Sequence, residues 1–297
     1  MQFQGRERMR LNGERGERTR SNRSGDGNPE DAGITEREVE EVEERSRPRT
    51  PVIYEIVRRH GDEEMARPIT SLWWSGVAAG LSISFSLLAE AILRMHLPQA
   101  EWTPLLSSFG YCVGFIMVVL ARQQLFTETT ITVVLPVMAE FTSANLVRLG
   151  RMWSIVLLAN FAGTLFAALF CTFAPVLTPE LRASMLDVSH HLVGHGWAES
   201  FFKAISAGFL IAAMVWLMPS ADSAQFQVVT LMTYLIAVGG FMHIVAGSVE
   251  GFMLALNGDV TWSWMVFDFI APVLAGNVVG GTALFALLAY AQVMNEI

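Results

Sequence analysis

From residue 69 onward the chain alternates long apolar runs with short polar gaps. Six runs can be read, at 69–93, 105–139, 152–176, 201–218, 226–256 and 264–293. A helix needs ~20 apolar residues to cross the hydrocarbon core of a bilayer, so each run predicts a membrane span. Two of them, 105–139 and 226–256, are too long for one simple span, and both are interrupted near the middle. The first interruption is polar, Leu120-Ala121-Arg122-Gln123-Gln124-Leu125-Phe126-Thr127-Glu128-Thr129. The second is glycine-rich, Val238-Gly239-Gly240-Phe241-Met242-His243-Ile244-Val245-Ala246-Gly247. A break facing lipid would leave peptide groups unpaired in hydrocarbon. Broken helices at this depth are therefore expected where they are buried or line a cavity.

The six runs also repeat. Trp73-Trp74-Ser75-Gly76-Val77-Ala78-Ala79-Gly80 in the first run is echoed by Phe201-Phe202-Lys203-Ala204-Ile205-Ser206-Ala207-Gly208 in the fourth. Asn160-Phe161-Ala162-Gly163 in the third is echoed by Asn277-Val278-Val279-Gly280 in the sixth, and the interrupted runs correspond in order. The pattern predicts an all-α membrane protein of six transmembrane helices arranged as an inverted 3+3 repeat. Its second and fifth helices are broken at the midplane and face one another. The matching glycines allow close helix packing.

The rest of the chain is polar. Of 20 Lys and Arg residues, 14 fall in residues 1–67, together with 16 of the 28 acids, so the net charge of −8 says little about the apolar part. No signal peptide is expected ahead of so long a polar stretch. Residues 1–49 read as a disordered charged tail, with a capping box at Thr35-Glu36-Arg37-Glu38 and a short exposed helix running to Glu44. Thr50-Pro51 reads as an N-cap followed by proline at the first helical position. Val52, Ile53, Ile56 and Val57 then make residues 50–67 an amphipathic helix on the membrane surface. Residues 68–297 form the six-helix transmembrane domain. Arg148 and Arg151 lie in the gap on the tail's side, whereas the opposite gaps hold Arg94 and Arg182. Both termini are therefore expected in the cytoplasm of a bacterial-type inner (plasma) membrane. Cys112 and Cys171 lie in apolar runs and read as core residues, not as a disulfide or metal site.

Chemistry concentrates at the two interruptions. Charges at membrane depth are costly unless paired or hydrated, so Arg122 and Glu128 are expected either to pair or to flank a pore. Thr127 offers a hydroxyl at the start of a half-helix whose N-terminal end is positive. His243 is an ionisable group at the opposite break. It can hold or donate a proton to an anion crossing a dry pore, where protonation removes most of the desolvation cost. Leu125, Phe126 and Phe241 are candidate constrictions.

At these residues the chain resembles the formate/nitrite transporter family. Leu125-Phe126-Thr127 is similar to its LFT element, Gly240-Phe241-Met242-His243-Ile244-Val245-Ala246 to GFxHxIA, and Phe201-Phe202-Lys203-Ala204-Ile205 to F-x-(R/K)-G-I. Val215-Trp216 matches the close of its fourth helix, and Gly276-Asn277-Val278-Val279-Gly280-Gly281 matches GNxxGG. The likeness covers residues 50–297 and is greatest to the divergent YfdC-type branch. It implies a homopentamer of aquaporin-like protomers, each with its own pore for small monovalent weak-acid anions such as formate or nitrite. By this match Leu125 and Phe126 belong to a constriction, Thr127 to the gating loop, and His243 to the central proton-donating position.

The departures are Glu128 and Thr129 after LFT, Glu250 in a segment that is usually apolar, and Ala207-Gly208 in place of cysteine-asparagine. Lys203 is the chain's single lysine, and His190, His191 and His195 occupy the loop where a vestibule lysine is usual. Three functions remain open from the residues: a weak-acid anion channel, a pore for small neutral solutes or ammonia, and a non-conducting scaffold whose tail binds a partner. With no nucleotide-binding loop in the chain and no nucleophile or metal set beside His243, neither an enzyme nor a cofactor is expected, and no nucleic-acid partner.

Overall fold

The computed structural model describes residues 48–221 and 223–296. The charged tail and its capping-box helix therefore lie outside the described residues, save for Pro48 and Arg49. The described chain is helical throughout: α1 (Thr50–Ala66), α2 (Ile69–His96), α3 (Thr103–Leu120), α4 (Phe126–Ala139), α5 (Ser143–Phe173), α6 (Pro179–Ser189), α7 (Trp197–Ser220), α8 (Gln225–Val238), α9 (Ile244–Asn257) and α10 (Trp262–Val293). Five of these, α2, α3, α5, α7 and α10, are long and apolar enough to cross a membrane. The broken runs appear as the pairs α3–α4 and α8–α9. Only 121–125 and 239–243 separate the two members of each pair.

Glycines decide which helices touch. A Cβ on Gly80 would fall 2.2 Å from the Asn160 carbonyl oxygen, and one on Gly163 would fall 2.3 Å from that of Val77, so α2 and α5 meet backbone to backbone. The same contact recurs between α7 and α10. A Cβ on Gly208 would lie 2.3 Å from the Asn277 oxygen, and one on Gly280 would lie 2.1 Å from that of Ile205. These are the glycines of the echoed motifs, and their lack of a side chain lets the helices dock this closely. α10 itself winds through two wide stretches of i→i+5 turns, Met265–Ile270 and Val279–Ala286, and Asn277 stands between them. The outward surface is apolar, with Trp74, Phe166, Phe173, Phe202 and Leu288 exposed, as suits lipid or neighbouring apolar protein.

α1 departs from expectation. Thr50 is the first helical residue and Arg49 takes the cap position without a side-chain bond. Of the apolar stripe, Val52 and Ile56 are 43% and 46% exposed, while Val57 is buried. The buried face is instead Tyr54, Val57, Gly61, Glu64 and Met65, which dock on α4 and the end of α10. The apolar count along α1 could not separate two faces that are both non-aqueous, one turned to protein and one outward. Gly61 makes the docking possible, because a Cβ there would lie 1.9 Å from the Thr132 carbonyl oxygen. Cys112 and Cys171 are both free thiols, as expected.

Candidate functional site

The two breaks are built by one device. A residue in the left-handed region turns the chain out of the first half-helix: Arg122 at φ 51° in one break, Gly240 at φ 60° in the other. A buried asparagine from a neighbouring helix then brackets the extended residues that follow. Asn160 Oδ1 accepts the Phe126 N–H at 2.9 Å, while its Nδ2 donates to the carbonyls of Gly76 and Gln124, both at 2.9 Å. Asn277 Oδ1 accepts the Ile244 N–H at 2.8 Å, and its Nδ2 donates to the carbonyls of Ala204 at 2.8 Å and Met242 at 2.9 Å. Each asparagine thus satisfies peptide groups that leaving the helix would orphan.

This register aligns Leu125 with His243, the residues just before α4 and α9. The two short helices meet end to end, and His243 Nε2 lies 2.7 Å from Thr127 Oγ1. Both side chains are almost wholly buried, at 2% and 0% exposure. The ring's protonation pattern follows from its other nitrogen. His243 Nδ1 caps α9 by accepting the Ala246 N–H at 3.1 Å. An amide N–H can only donate, so Nδ1 carries no proton and the neutral ring bears it on Nε2, which donates to Thr127 Oγ1. Phe115 packs edge-on to the imidazole with ring centroids 5.0 Å apart. The centre is therefore a dry spot with one oriented N–H and one hydroxyl.

A cavity of about 210 Å³ opens onto this centre from the α6 side. Phe241, Met242 and His243 form its floor, Glu90, Tyr111 and Glu250 stand in its walls, and His191 and Arg94 also border it. Glu250 is buried, and its Oε2 has no hydrogen-bond partner among the described residues. His191 Nδ1 lies 3.4 Å from that oxygen. Arg94 is committed to Asp187 at 3.0 Å.

The other side of the centre carries a clamp. Glu64 of α1 accepts Gln124 Nε2 at 2.9 Å and Thr132 Oγ1 at 2.6 Å, and Ser75 Oγ accepts the Gln124 N–H at 3.1 Å. The Glu64 carboxylate thus holds the first break in place.

Of the residues singled out in the sequence, Thr127, His243, Phe241 and Glu250 come together around the centre and its cavity. Leu125 is fully buried beside it, whereas the Phe126 ring turns away to pack on Trp153, centroids 5.9 Å apart. Arg122 is exposed, and among the described residues no ion pair joins it to Glu128, whose Oε1 is buried without a partner. Lys203 sits at the start of α7, 3.2 Å from Glu199 and 3.1 Å from His195 Nε2, and does not line the cavity. The three loop histidines take separate partners: Leu186 O for His190, Val188 O for His191, and Glu199 for His195. Glu64, Glu90 and the two asparagines were missed as site residues. Each had a signal, being an isolated polar group in or beside an apolar run.

The sequence profile of the formate/nitrite transporters matches residues 51–291. The inner membrane protein YfdC of Escherichia coli (strain K12) is 43% identical over 260 residues, covering 88% of this chain and 84% of its own. The formate channel FocA of Haemophilus influenzae is 27% identical over 244 residues, covering 72% of this chain and 84% of its own. Among solved structures, a pentameric formate channel with formate bound superposes with a TM-score of 0.64 at 20% identity, over 76% of this chain and 98% of that one. A similarity at that identity speaks for the fold.

Proposed function

Because the chain belongs to the formate/nitrite transporter family, we propose that it is a multi-pass inner-membrane channel for small monovalent weak-acid anions of the formate and nitrite kind. It is a transporter-family protein, not an enzyme. The observation that carries the reading is the buried His243–Thr127 pair, set where two half-helices meet and reached by a cavity. A bare anion at such a place faces a large desolvation cost. The His243 Nε2–H and the Thr127 hydroxyl replace part of its water shell, and the N-terminal ends of α4 and α9 add positive potential. Phe241 at the cavity floor and Leu125 beside the pair keep hydrated ions out.

The architecture we infer is six spans in two inverted halves, with α3–α4 and α8–α9 as the broken members. The twin asparagine brackets and the paired glycine contacts support it. Arg148 and Arg151, in the N-terminal part of α5, support placing that end and both termini in the cytoplasm, so the α6 side with its cavity faces outward. A homopentamer is favoured by the likeness to a pentameric formate channel and by the apolar outer faces. One observation favours the second reading, a pore for neutral solutes: the cavity walls carry the carboxylates Glu90 and Glu250.

Flux of formate and nitrite into liposomes holding the purified protein tests the proposal. Selective flux is expected, falling about tenfold or more in His243→Ala and Thr127→Val, each of which deletes a donor to a charged group. Absence of flux in correctly folded, oriented protein would sink the anion reading, and flux of ammonia or water alone would replace it with the neutral one.

A further inference from the structure

The outer cavity has the wrong charge for attracting anions. Glu90 and Glu250 stand in its walls, and its lining cation, Arg94, is already paired with Asp187. Two ionised carboxylates in a half-dry pocket repel each other and any incoming anion. The centre below offers little relief. His243 Nδ1 is spent as the cap of α9, so taking up a second proton there would break the cap bond to Ala246. His243 serves as a neutral hydrogen-bond donor, and a proton that travels with the substrate needs another source.

Glu250 is placed to be that source. It lies seven residues beyond His243, two turns along the same face of α9, and both side chains line the cavity. It is 3% exposed and lines the cavity, and its Oε2 has no hydrogen bond among the described residues. His191 Nδ1 donates to the Val188 carbonyl at 2.9 Å and leans to within 3.4 Å of Glu250 Oε2. With Nδ1 protonated, the neutral His191 ring presents Nε2 as an open acceptor, on a side chain 44% exposed. That is a route for a proton from bulk water to Glu250.

The other elements around α9 add little that titrates. α2 brings Glu90 and Arg94, α3 brings Tyr111, α6 brings Asp187, held by Arg94, and the turn after α6 brings His191. α5 contributes the neutral contact of Thr164 with Ser248 at 2.8 Å.

We propose that Glu250, recharged through His191 and poised against Glu90, protonates the weak-acid anion in the outer vestibule before it meets His243 and Thr127. The idea rests on the anion-channel reading above. In the step, the Glu250 O–H bond breaks and a new O–H bond forms on an anion oxygen, giving the neutral acid and a Glu250 carboxylate. Water protonates the open His191 Nε2 as the Nδ1 proton passes to that carboxylate, and the exposed ring then returns to its Nδ1–H form by exchanging protons with water. The acid sheds its proton on the far side, so each anion crosses with one proton and no net charge.

Formate entry into liposomes carrying a lumenal pH dye tests this, with outer pH stepped from 7.5 to 5.5. Wild-type entry is expected to acidify the lumen and to ignore an imposed membrane voltage. Glu250→Gln keeps size and hydrogen bonding but has no transferable proton. Its formate entry and the linked acidification are expected to drop roughly tenfold or more, while Glu250→Asp restores most of both. Entry and acidification in Glu250→Gln within twofold of wild type would overturn the proposal and leave the anion channel standing. Loss in Glu250→Gln that Glu250→Asp does not mend would reduce Glu250 to a structural part and overturn it as well. A wild-type protein with no formate entry would bring down the anion reading and the proposal with it.

Discussion

The two breaks share a backbone plan and differ in what holds them. Each turns at a left-handed residue and each is bracketed by a buried asparagine making three hydrogen bonds to the main chain. The first break is then tied down by side chains, with Gln124 gripped by Glu64 of α1 and by Ser75. The second, two glycines followed by Phe241, Met242 and His243, forms the floor of an open cavity. Backbone leaving a helix at membrane depth must have its peptide groups satisfied, and that requirement is identical in both halves. What fills the space on either side is not so constrained. One side has become a clamp and the other a vestibule.

The asparagines test the shared part. Asn160→Ala and Asn277→Ala each leave one N–H and one carbonyl of a break without partners in a dry interior. Each is expected to cost on the order of 4 kcal/mol, equal within error, in denaturant unfolding of the detergent-solubilised protein. A large inequality would show that the two breaks are not equivalent parts. Glu64→Ala tests the part that differs. It strips an acceptor from Gln124 and Thr132 and is expected to cost about 2 kcal/mol. It should also loosen 121–125 to hydrogen exchange while leaving 239–243 protected. Equal loosening of both would mean that the clamp holds the whole centre.

The left-handed turns give a contrast of sign. Gly240→Ala forces a side chain into φ 60° and should destabilise by about 1 kcal/mol, whereas Arg122→Gly relieves φ 51° and should stabilise by about 1 kcal/mol in the same unfolding assay. Two destabilisations would show that the Arg122 side chain holds its loop by contacts of its own.

The smallest effect concerns α1. Hydrogen bonds from Arg58 and Arg59 hold the Glu55 carboxyl down at about 2. A folded pKa below the unfolded value, about 4.3, means stability that is full above that value and is lost as pH falls through 2. Because Glu55 is well exposed, the expected change is slight. Glu55→Gln should remove whatever acid-induced fraying of α1 appears between pH 5 and pH 2 in protease-cleavage rates. Identical profiles for both proteins would deny the pairing any weight.

Much of this was legible from pattern alone. Run lengths marked the spans, because a bilayer fixes how many apolar residues a helix needs. Glycines and polar residues inside two runs marked the breaks to within a few residues, and the echoed Gly76, Gly80, Asn160 and Gly163 of the first half marked contacts that recur at Ala204, Gly208, Asn277 and Gly280. Thr127 and His243 stood out as polar groups where polarity is expensive, and they do meet. The facing of single side chains was not legible. Phe126 was expected at a constriction and lies on Trp153. Val52, Ile56 and Val57 were expected to share one face of α1, and of these three Val57 alone is buried against the protein.

The sequence by itself therefore marked the apolar segments and the two places where they break. Local hydrophobicity and the backbone's need for partners act on stretches of chain. Only the tertiary structure decided which atoms converge. It set the Nε2–H of His243 on Thr127, brought Glu64 under the first break, and placed Glu90, His191 and Glu250 around one cavity, 101 positions separating Glu90 from His191 in the chain. Those meetings depend on helix rotation and close glycine contacts between segments far apart in sequence, and hydropathy carries no information on either.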